Sequence, residues 1–319
     1  MNAESKIFEW GDNRPWNSYS RYFKSIYGQR IQKVAINAGF TCPNRDGSKS
    51  RGGCTFCSND AFNPSYCDRH KSITAQIEEG IEFHSRRYQN SKSFLAYFQA
   101  YSNTYAPLAE LKSIYNEALT HPDIIGVVIG TRPDCIDEEK LDYFATLAQH
   151  KYVTLEYGVE SCHNTTLQRV NRADTIENAI RAIELTKERG LNCGAHFILG
   201  LPGESKEMMI EQTDIINSLK IDTIKFHQLQ VFKNTLMERE YSQNSEDYHF
   251  FELQEYINLF IEILTRLRPS LIIERFAGEA PPRHVAYSGN WGKIRNEQLV
   301  NLLEKELKLR GLYQGCRVK

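Results

Sequence analysis

Short apolar runs alternate with amphipathic stretches of about a dozen residues along most of this chain, and that alternation limits its fold more tightly than any other feature. The apolar runs are Val34–Ile36, Ser93–Tyr101, Gly126–Gly130, YVTLEYGVES from Tyr152, LNCGAHFILG from Leu191, DTIKFHQLQV from Asp222 and SLIIERF from Ser270. Between them, Ile73, Ile77 and Ile81 recur every fourth residue, as on one helix face. Further helices are expected from Pro107 to about Leu119, from Asp137 to His150, up to Gly190, from Lys206 to Leu219 and from His249 to Leu267. Strand and helix in this order predict a parallel α/β sheet. Roughly six βα units fit a TIM-like barrel, with a doubly wound sheet as the other topology.

Side chains alternate along a strand, and a barrel turns its apolar face outward to the helices. Val153, Leu155, Tyr157 and Val159 form one such face, Ile224 and Phe226 a second, Phe197 and Leu199 a third. The opposite faces carry Gln99, Glu156, Glu160, His196, Lys225 and His227, which would converge on one lumen. Buried charges need partners, so a structural ion network would account for some of them.

Cys42, Cys54 and Cys57 follow the first apolar run, in a loop rich in Asn, Arg, Asp, Gly, Ser and Lys. Such a loop wraps around an object and cannot bury itself. Thiolates are soft ligands for zinc or iron–sulfur clusters. Cys54, Cys57, Cys67 and His70 would make a closed structural zinc site in a non-enzymatic, RNA-binding protein. Three cysteines with an open fourth position would make a reactive centre.

The chain has 319 residues and a net charge of −1, so no global field draws it to nucleic acid or membrane. Arg14, Arg21, Lys24, Arg30, Lys33, Arg45, Lys49 and Arg51 nevertheless cluster with Tyr19, Tyr22, Phe23 and Tyr27. That mixture suits phosphate contact and base stacking, or an ordinary amphipathic segment. Eight cysteines without a signal peptide argue against a disulfide scaffold, and no apolar run approaches the roughly 18 residues that span a bilayer. A cytoplasmic protein without membrane contact is expected. Soft boundaries near Ile31 and Ser242 divide it into an N-terminal extension (1–30), a core (31–241) and a C-terminal extension (242–319).

The cysteine loop, ending C-x-x-C with Phe56 before the last cysteine, resembles that of the radical S-adenosylmethionine (SAM) superfamily. Its usual C-x3-C-x2-C is widened here to C-x11-C-x2-C, similar to the Elongator catalytic subunit and the smaller YtqA/YhcC-like subgroup. GTRPD (Gly130–Asp134), EYGVES (Glu156–Ser161), NRADT (Asn171–Thr175), GLPGE (Gly200–Glu204) and KFHQLQV (Lys225–Val231) continue the resemblance in order. RFAGEAPPR (Arg275–Arg283) matches the YtqA/YhcC-like subgroup alone.

The resemblance implies a partial, open (β/α)6 barrel with N- and C-terminal extensions. It implies that Cys42, Cys54 and Cys57 hold a [4Fe-4S] cluster with one iron free for SAM, whose reductive cleavage gives a 5′-deoxyadenosyl radical that abstracts substrate hydrogen. Gln99 to Asn103 replace the family's glycine-glycine-glutamate segment at the SAM amino group. Glu160 and Ser161 correspond to the ribose or carboxylate contacts, and Ile198 and Gly200 to the adenine side. Gln230 and Val231 would meet adenine through their backbone, with Phe56 beside it. Arg172 sits where the Elongator-like motif has a histidine close by, replaced here by Ala173. Lys225 and His227 are candidates for substrate contact or proton handling. The implied substrate is the wobble uridine of tRNA with a 5-aminomethyl-type side chain, the implied electron donor a flavodoxin or ferredoxin. No acetyltransferase domain of the Elongator type is expected. A protein or small-metabolite substrate is the alternative within the superfamily.

Overall fold

The computed structural model describes residues 6–59, 61–85, 92–292 and 294–318. In chain order its strands are β1 (Gln32–Ile36), β2 (Phe94–Phe98), β3 (Ile124–Thr131), β4 (Tyr152–Glu160), β5 (Asn192–Leu199), β6 (Thr223–Gln228), β7 (Gln230–Phe232), β8 (Ile272–Arg275) and β9 (Val285–Ser288). Among the described residues seven of these form one parallel sheet in the order β1-β2-β3-β4-β5-β6-β8. A right-handed βα succession of this kind curls the sheet into an open barrel. β7 and β9 make a separate antiparallel ribbon.

Helices Ile73–Ser85, Leu108–Thr120, Glu138–Ala148, Ile176–Glu188, Lys206–Ser218 and Leu253–Arg266 cover the outside. Asp137, Thr175 and Ser205 cap three of them by accepting backbone N–H bonds, which satisfies donors the first turn leaves open. Val34, Ile36, Val127, Ile129, Val153, Leu155, Phe197, Ile224 and Phe226 lie in the large core between sheet and helices. The outward apolar faces expected from the sequence are therefore the ones buried under helices.

The expected strand from Ser93 to Tyr101 ends at Phe98, because the chain turns through Tyr101 at a φ of 62°. The run from Asp222 to Val231 is two strands, broken at Leu229, whose N–H bonds to the carbonyl of Leu199. The helix expected from His249 begins at Leu253.

A helix at Tyr19–Tyr27, not expected from the sequence, closes the N-terminal end of the barrel. Its Phe23, 1% exposed, packs with Leu95, Tyr97 and Val128 from the inner faces of β2 and β3, and with Tyr19, Tyr22 and Tyr152 at the edge of that cluster. The aromatic residues that could have stacked on bases are thus largely spent on the barrel floor. The preceding segment also covers the outer edge of β8, where Ile273 N–H donates to the carbonyl of Asn17. Among the described residues no helix is long and apolar enough to cross a membrane.

Emptying the floor removes an aromatic ring that neighbouring strands cannot collapse onto. Phe23→Ala is expected to cost about 3–5 kcal/mol of unfolding free energy, read as a lower urea midpoint at unchanged slope; a change within experimental scatter would contradict the plug.

Candidate active site

A cavity of about 230 Å³ opens at the C-terminal end of the strands. The cysteine loop leaves β1 at that end. Residues Pro43–Asp46 form one helical turn, the chain reverses at Gly47, and Asp46 bridges Arg51. Gly53 N–H then donates to the carbonyl of Asn44 (2.8 Å). The eleven residues between Cys42 and Cys54 thus fold onto themselves as a knob, which returns the chain to its starting point. The widened spacing therefore leaves Cys42, Cys54 and Cys57 lining one cavity.

The loop is pinned from across the barrel. Asn44 Nδ2 donates to the carbonyl of Asn171 (2.6 Å), Asn171 Nδ2 to that of Gly53 (2.8 Å), and Thr55 N–H to that of Val170 (3.0 Å). The sulfurs also receive bonds: Asn44 Nδ2 lies 3.5 Å and Arg172 Nη1 3.9 Å from Cys54 Sγ, and Asn59 Nδ2 lies 3.6 Å from Cys57 Sγ. Burial, then the neighbouring Cys54, pushes the Cys57 thiol up to about 12, against the pull of Arg45. Burial likewise raises Cys42. Proton loss from such crowded thiols needs a metal to replace the protons.

The motif GTRPD fixes the same wall. Arg132, 3% exposed, donates to both carboxylate oxygens of Asp134 (2.7 and 2.6 Å) and to the carbonyls of Arg172 and Ala173. Lys49 closes on Asp134 at 2.6 Å. Although burial opposes it, the two cations hold the Asp134 carboxyl down at about 2.

Glu160 ends β4 at a register shift with a φ of 72°, a strained conformation of the kind that collects at functional sites. Its carboxylate folds over Gly158: a Cβ there would stand 2.4 Å from Glu160 Oε1 and 3.3 Å from Arg172 Nη2. Burial raises the Glu160 carboxyl, with Arg172 and His196 opposing.

Below the cavity lies a buried ion cluster. Lys33 Nζ is 2.7 Å from both Glu156 and Glu274, and Lys225 Nζ is 2.5 Å from Glu156 and 3.2 Å from Glu274. His196 Nε2 contacts Glu156 Oε2 at 2.9 Å, and Lys225 also donates to Tyr97 (3.0 Å). Burial opposes the charge on Lys33, yet Glu156 and Glu274 raise its proton affinity overall. Deeper in, burial pulls Lys225 down to about 8. Burial also lowers His227, helped by Arg275 and His196, so its ring is neutral near pH 7.

Of the residues singled out from the sequence, Cys42, Cys54, Cys57, Phe56, Gln99, Glu160, Arg172, Ile198, His227 and Gln230 line the cavity. The others do not. Lys225 lies beneath it, in the ion cluster. Asn103 is fully buried and donates to the carbonyls of Phe98 and Gly130. Ser161 bonds to Glu204. Gly200, at a φ of 89°, faces a separate surface hollow with Glu204 and His249. Val231 is buried in a small apolar cluster and pairs with Tyr287. Arg45, Tyr101, Arg132 and Arg275 also line the cavity. The sequence reading held Arg45 in the basic cluster, Tyr101 within the Gln99–Asn103 segment, and Arg132 and Arg275 within the GTRPD and RFAGEAPPR motifs, without giving any of the four a place in the cavity; for Arg275, strand alternation points outward.

The closed zinc set is not assembled. Cys67 Sγ donates to the carbonyl of Ala35 (3.0 Å), and His70 is exposed beside Arg69. Nor do the N-terminal basic residues form one surface. Arg14 pairs with Glu304, Arg21 with Asp12 and Lys49 with Asp134, while Lys33 is inside the barrel.

The radical SAM superfamily matches residues 40–213 and a radical SAM C-terminal domain matches 221–308. The chain belongs to the radical SAM superfamily. YtqA of Bacillus subtilis is 30% identical over 94% of this chain and 92% of its own length, and YhcC of Escherichia coli K12 is 34% identical over 80% of each. A tRNA uridine(34) acetyltransferase of Methanocaldococcus jannaschii is 29% identical over 38% of this chain and 22% of its own. The solved archaeal Elp3 of Methanocaldococcus infernus has the same fold, with a TM-score of 0.68 at 16% identity, covering 89% of this chain and 64% of that one. As a radical SAM enzyme the chain uses a [4Fe-4S] cluster and SAM. The donor set fits them: three thiols from one loop, with the fourth direction open to a cavity.

The Asp134 clamp has a pH signature. Its folded carboxyl titrates at about 2 against an ordinary value of 3.8. The stability it contributes is therefore complete above about pH 4 and lost as pH falls through 2, a difference of about 2.5 kcal/mol. Arg132→Gln is expected to lower stability at pH 6 and to flatten that acid loss in urea titrations; an unchanged acid slope would contradict the clamp.

Proposed function

We propose that this radical SAM enzyme modifies the wobble uridine of tRNA at its 5-aminomethyl-type side chain. The observation that carries the reading is the convergence of Cys42, Cys54 and Cys57 on one cavity in the barrel, whose wall also carries charged and polar side chains. When bound, the cluster and SAM supply a reductively generated carbon radical that removes a hydrogen atom from the substrate.

The chain's own residues have the following parts. Cys42, Cys54 and Cys57 would hold the cluster, and bonds from Asn44, Arg172 and Asn59 orient the sulfurs of Cys54 and Cys57. Arg172 adds positive charge beside an anionic centre. Gln99, Glu160, Ile198, Phe56 and Gln230 hold SAM against it, with Glu160 kept in place by the space at Gly158. His227, neutral at pH 7 and facing the cavity, contacts substrate or moves its proton. Lys225 acts through Glu156 and Tyr97 as a positioning residue. Asn103, Ser161, Gly200 and Val231 support the cavity walls from behind. A flavodoxin- or ferredoxin-type protein in the cytoplasm supplies the electron.

The tRNA assignment draws support from the partial match to a tRNA uridine(34) acetyltransferase. Arg45, whose guanidinium sits 5.7 Å from the Tyr101 ring at the cavity, offers the cation and aromatic pairing that extruded bases use. Nucleoside analysis of tRNA from a deletion strain is expected to show a changed 5-substituted uridine, restored by the wild-type gene and not by Cys57→Ala. An unchanged uridine profile would overturn the tRNA reading and favour a protein or small-metabolite substrate.

A further inference from the structure

Within the ion cluster the charges pair off. Lys33 and Lys225 face Glu156 and Glu274 in a closed set of contacts, two cations against two anions. Arg275 is left over. It lines the cavity, is partly buried, and among the described residues makes no hydrogen bond or ion pair. A guanidinium out of bulk water is normally paired, because its desolvation is costly otherwise.

Its position is built, too. Ile273 of β8 packs in the outer core, so alternation would turn Glu274 inward and Arg275 out. The register between β6 and β8 shifts instead, so that Ile224 pairs with Ile273 and Lys225 with Arg275. Glu274 is the extra residue of a bulge, and both side chains reach the lumen. Bulges re-aim side chains in this way beside active sites. Just beyond, Gly278 is clamped to β6: its N–H donates to Gln228 Oε1 (2.8 Å) and its carbonyl accepts from Gln228 Nε2 (3.0 Å). A Cβ at Gly278 would stand 2.6 Å from His227 Nδ1, so this turn also presses His227 toward the cavity.

We infer that Arg275 is a substrate-specificity residue, holding an anionic group of the substrate, a carboxylate or a phosphate, in the cavity. This rests on the reading that substrate enters the barrel cavity. His227 lies close enough for the guanidinium to act on its ring, and the His196 ring is 6.0 Å from that of His227. A planar guanidinium suits either oxyanion because both accept two parallel N–H bonds.

Two measurements test it, one independent of the substrate's identity. Phenylglyoxal labels unpaired guanidiniums, and peptide mass spectrometry follows Arg275 in the SAM-loaded, cluster-containing protein. Sodium acetate or inorganic phosphate is expected to slow its labelling about threefold or more, and methylammonium chloride to leave it unchanged. Protection by acetate points to a carboxylate, protection by phosphate alone to a phosphate. Equal labelling in all three would overturn the inference. In the second, tRNA from the deletion strain is the substrate. Arg275→Gln is expected to raise KM about tenfold with a smaller effect on kcat, and Arg275→Lys to recover part of it. An equal loss of SAM affinity would overturn the inference, since the guanidinium would then serve the cofactor. If the wild-type enzyme does not turn over that tRNA, the tRNA reading fails, and the labelling result still decides Arg275.

Discussion

A sheet of seven strands is too short to close as a full barrel, so its two edges must be held together by something other than a strand pair. Here the edges are β1 and β8, and Lys33 on the first reaches Glu274 on the last at 2.7 Å. Glu156 from the central strand and Lys225 from β6 complete the contact, so four strands meet at one point inside the barrel. Such a cluster stabilises little in net terms, because desolvation offsets most of the attraction. What it does is specify: moving any of these strands in register would leave a charge buried and unpaired.

This cross-tie divides the lumen. Beneath it, Tyr19 and Phe23 fill the floor, with Lys33 Nζ 4.6 Å from the Tyr19 ring. Above it the interior is left open as a cavity of mixed apolar and polar lining, with the three cysteines in its wall. The site is thus bounded at one end by fixed charges and at the other by a loop that the NRAD segment pins in place. Water exclusion and aim, the two demands of radical chemistry on a protein, both follow from that division.

Much of this was legible in the sequence, and for identifiable reasons. Period-two alternation in YVTLEYGVES, GAHFILG and TIKFHQ assigned Glu156, His196, Lys225 and His227 to the inside because helices bury one face of every strand. The cysteines announced themselves by sitting in a loop too polar to pack. Less accessible were features that depend on distant partners. Tyr19, Tyr22 and Phe23 read equally well as a stacking surface and as an ordinary amphipathic segment, and their place as a floor depends on the open end of a barrel formed by distant strands. Lys33 counted as one of a basic cluster until Glu274, far along the chain, took it inside. Arg275 gained no place in the cavity because a bulge breaks the rule used to find its neighbours. Asn103 and Ser161, assigned by position along a motif, carry hydrogen bonds behind the wall, since the strand ends earlier than the motif does.

The account turns on Cys42, Cys54 and Cys57 acting as one ligand set with an open side. Anaerobic reconstitution followed by assay of iron, acid-labile sulfide and 5′-deoxyadenosine, on the wild type and on Cys57→Ala, tests this most directly. The account predicts iron and sulfide in equal amounts and reductant-dependent 5′-deoxyadenosine from the wild type, with both lost in the variant. Zinc without sulfide in the wild type, or undiminished 5′-deoxyadenosine from Cys57→Ala, would contradict it.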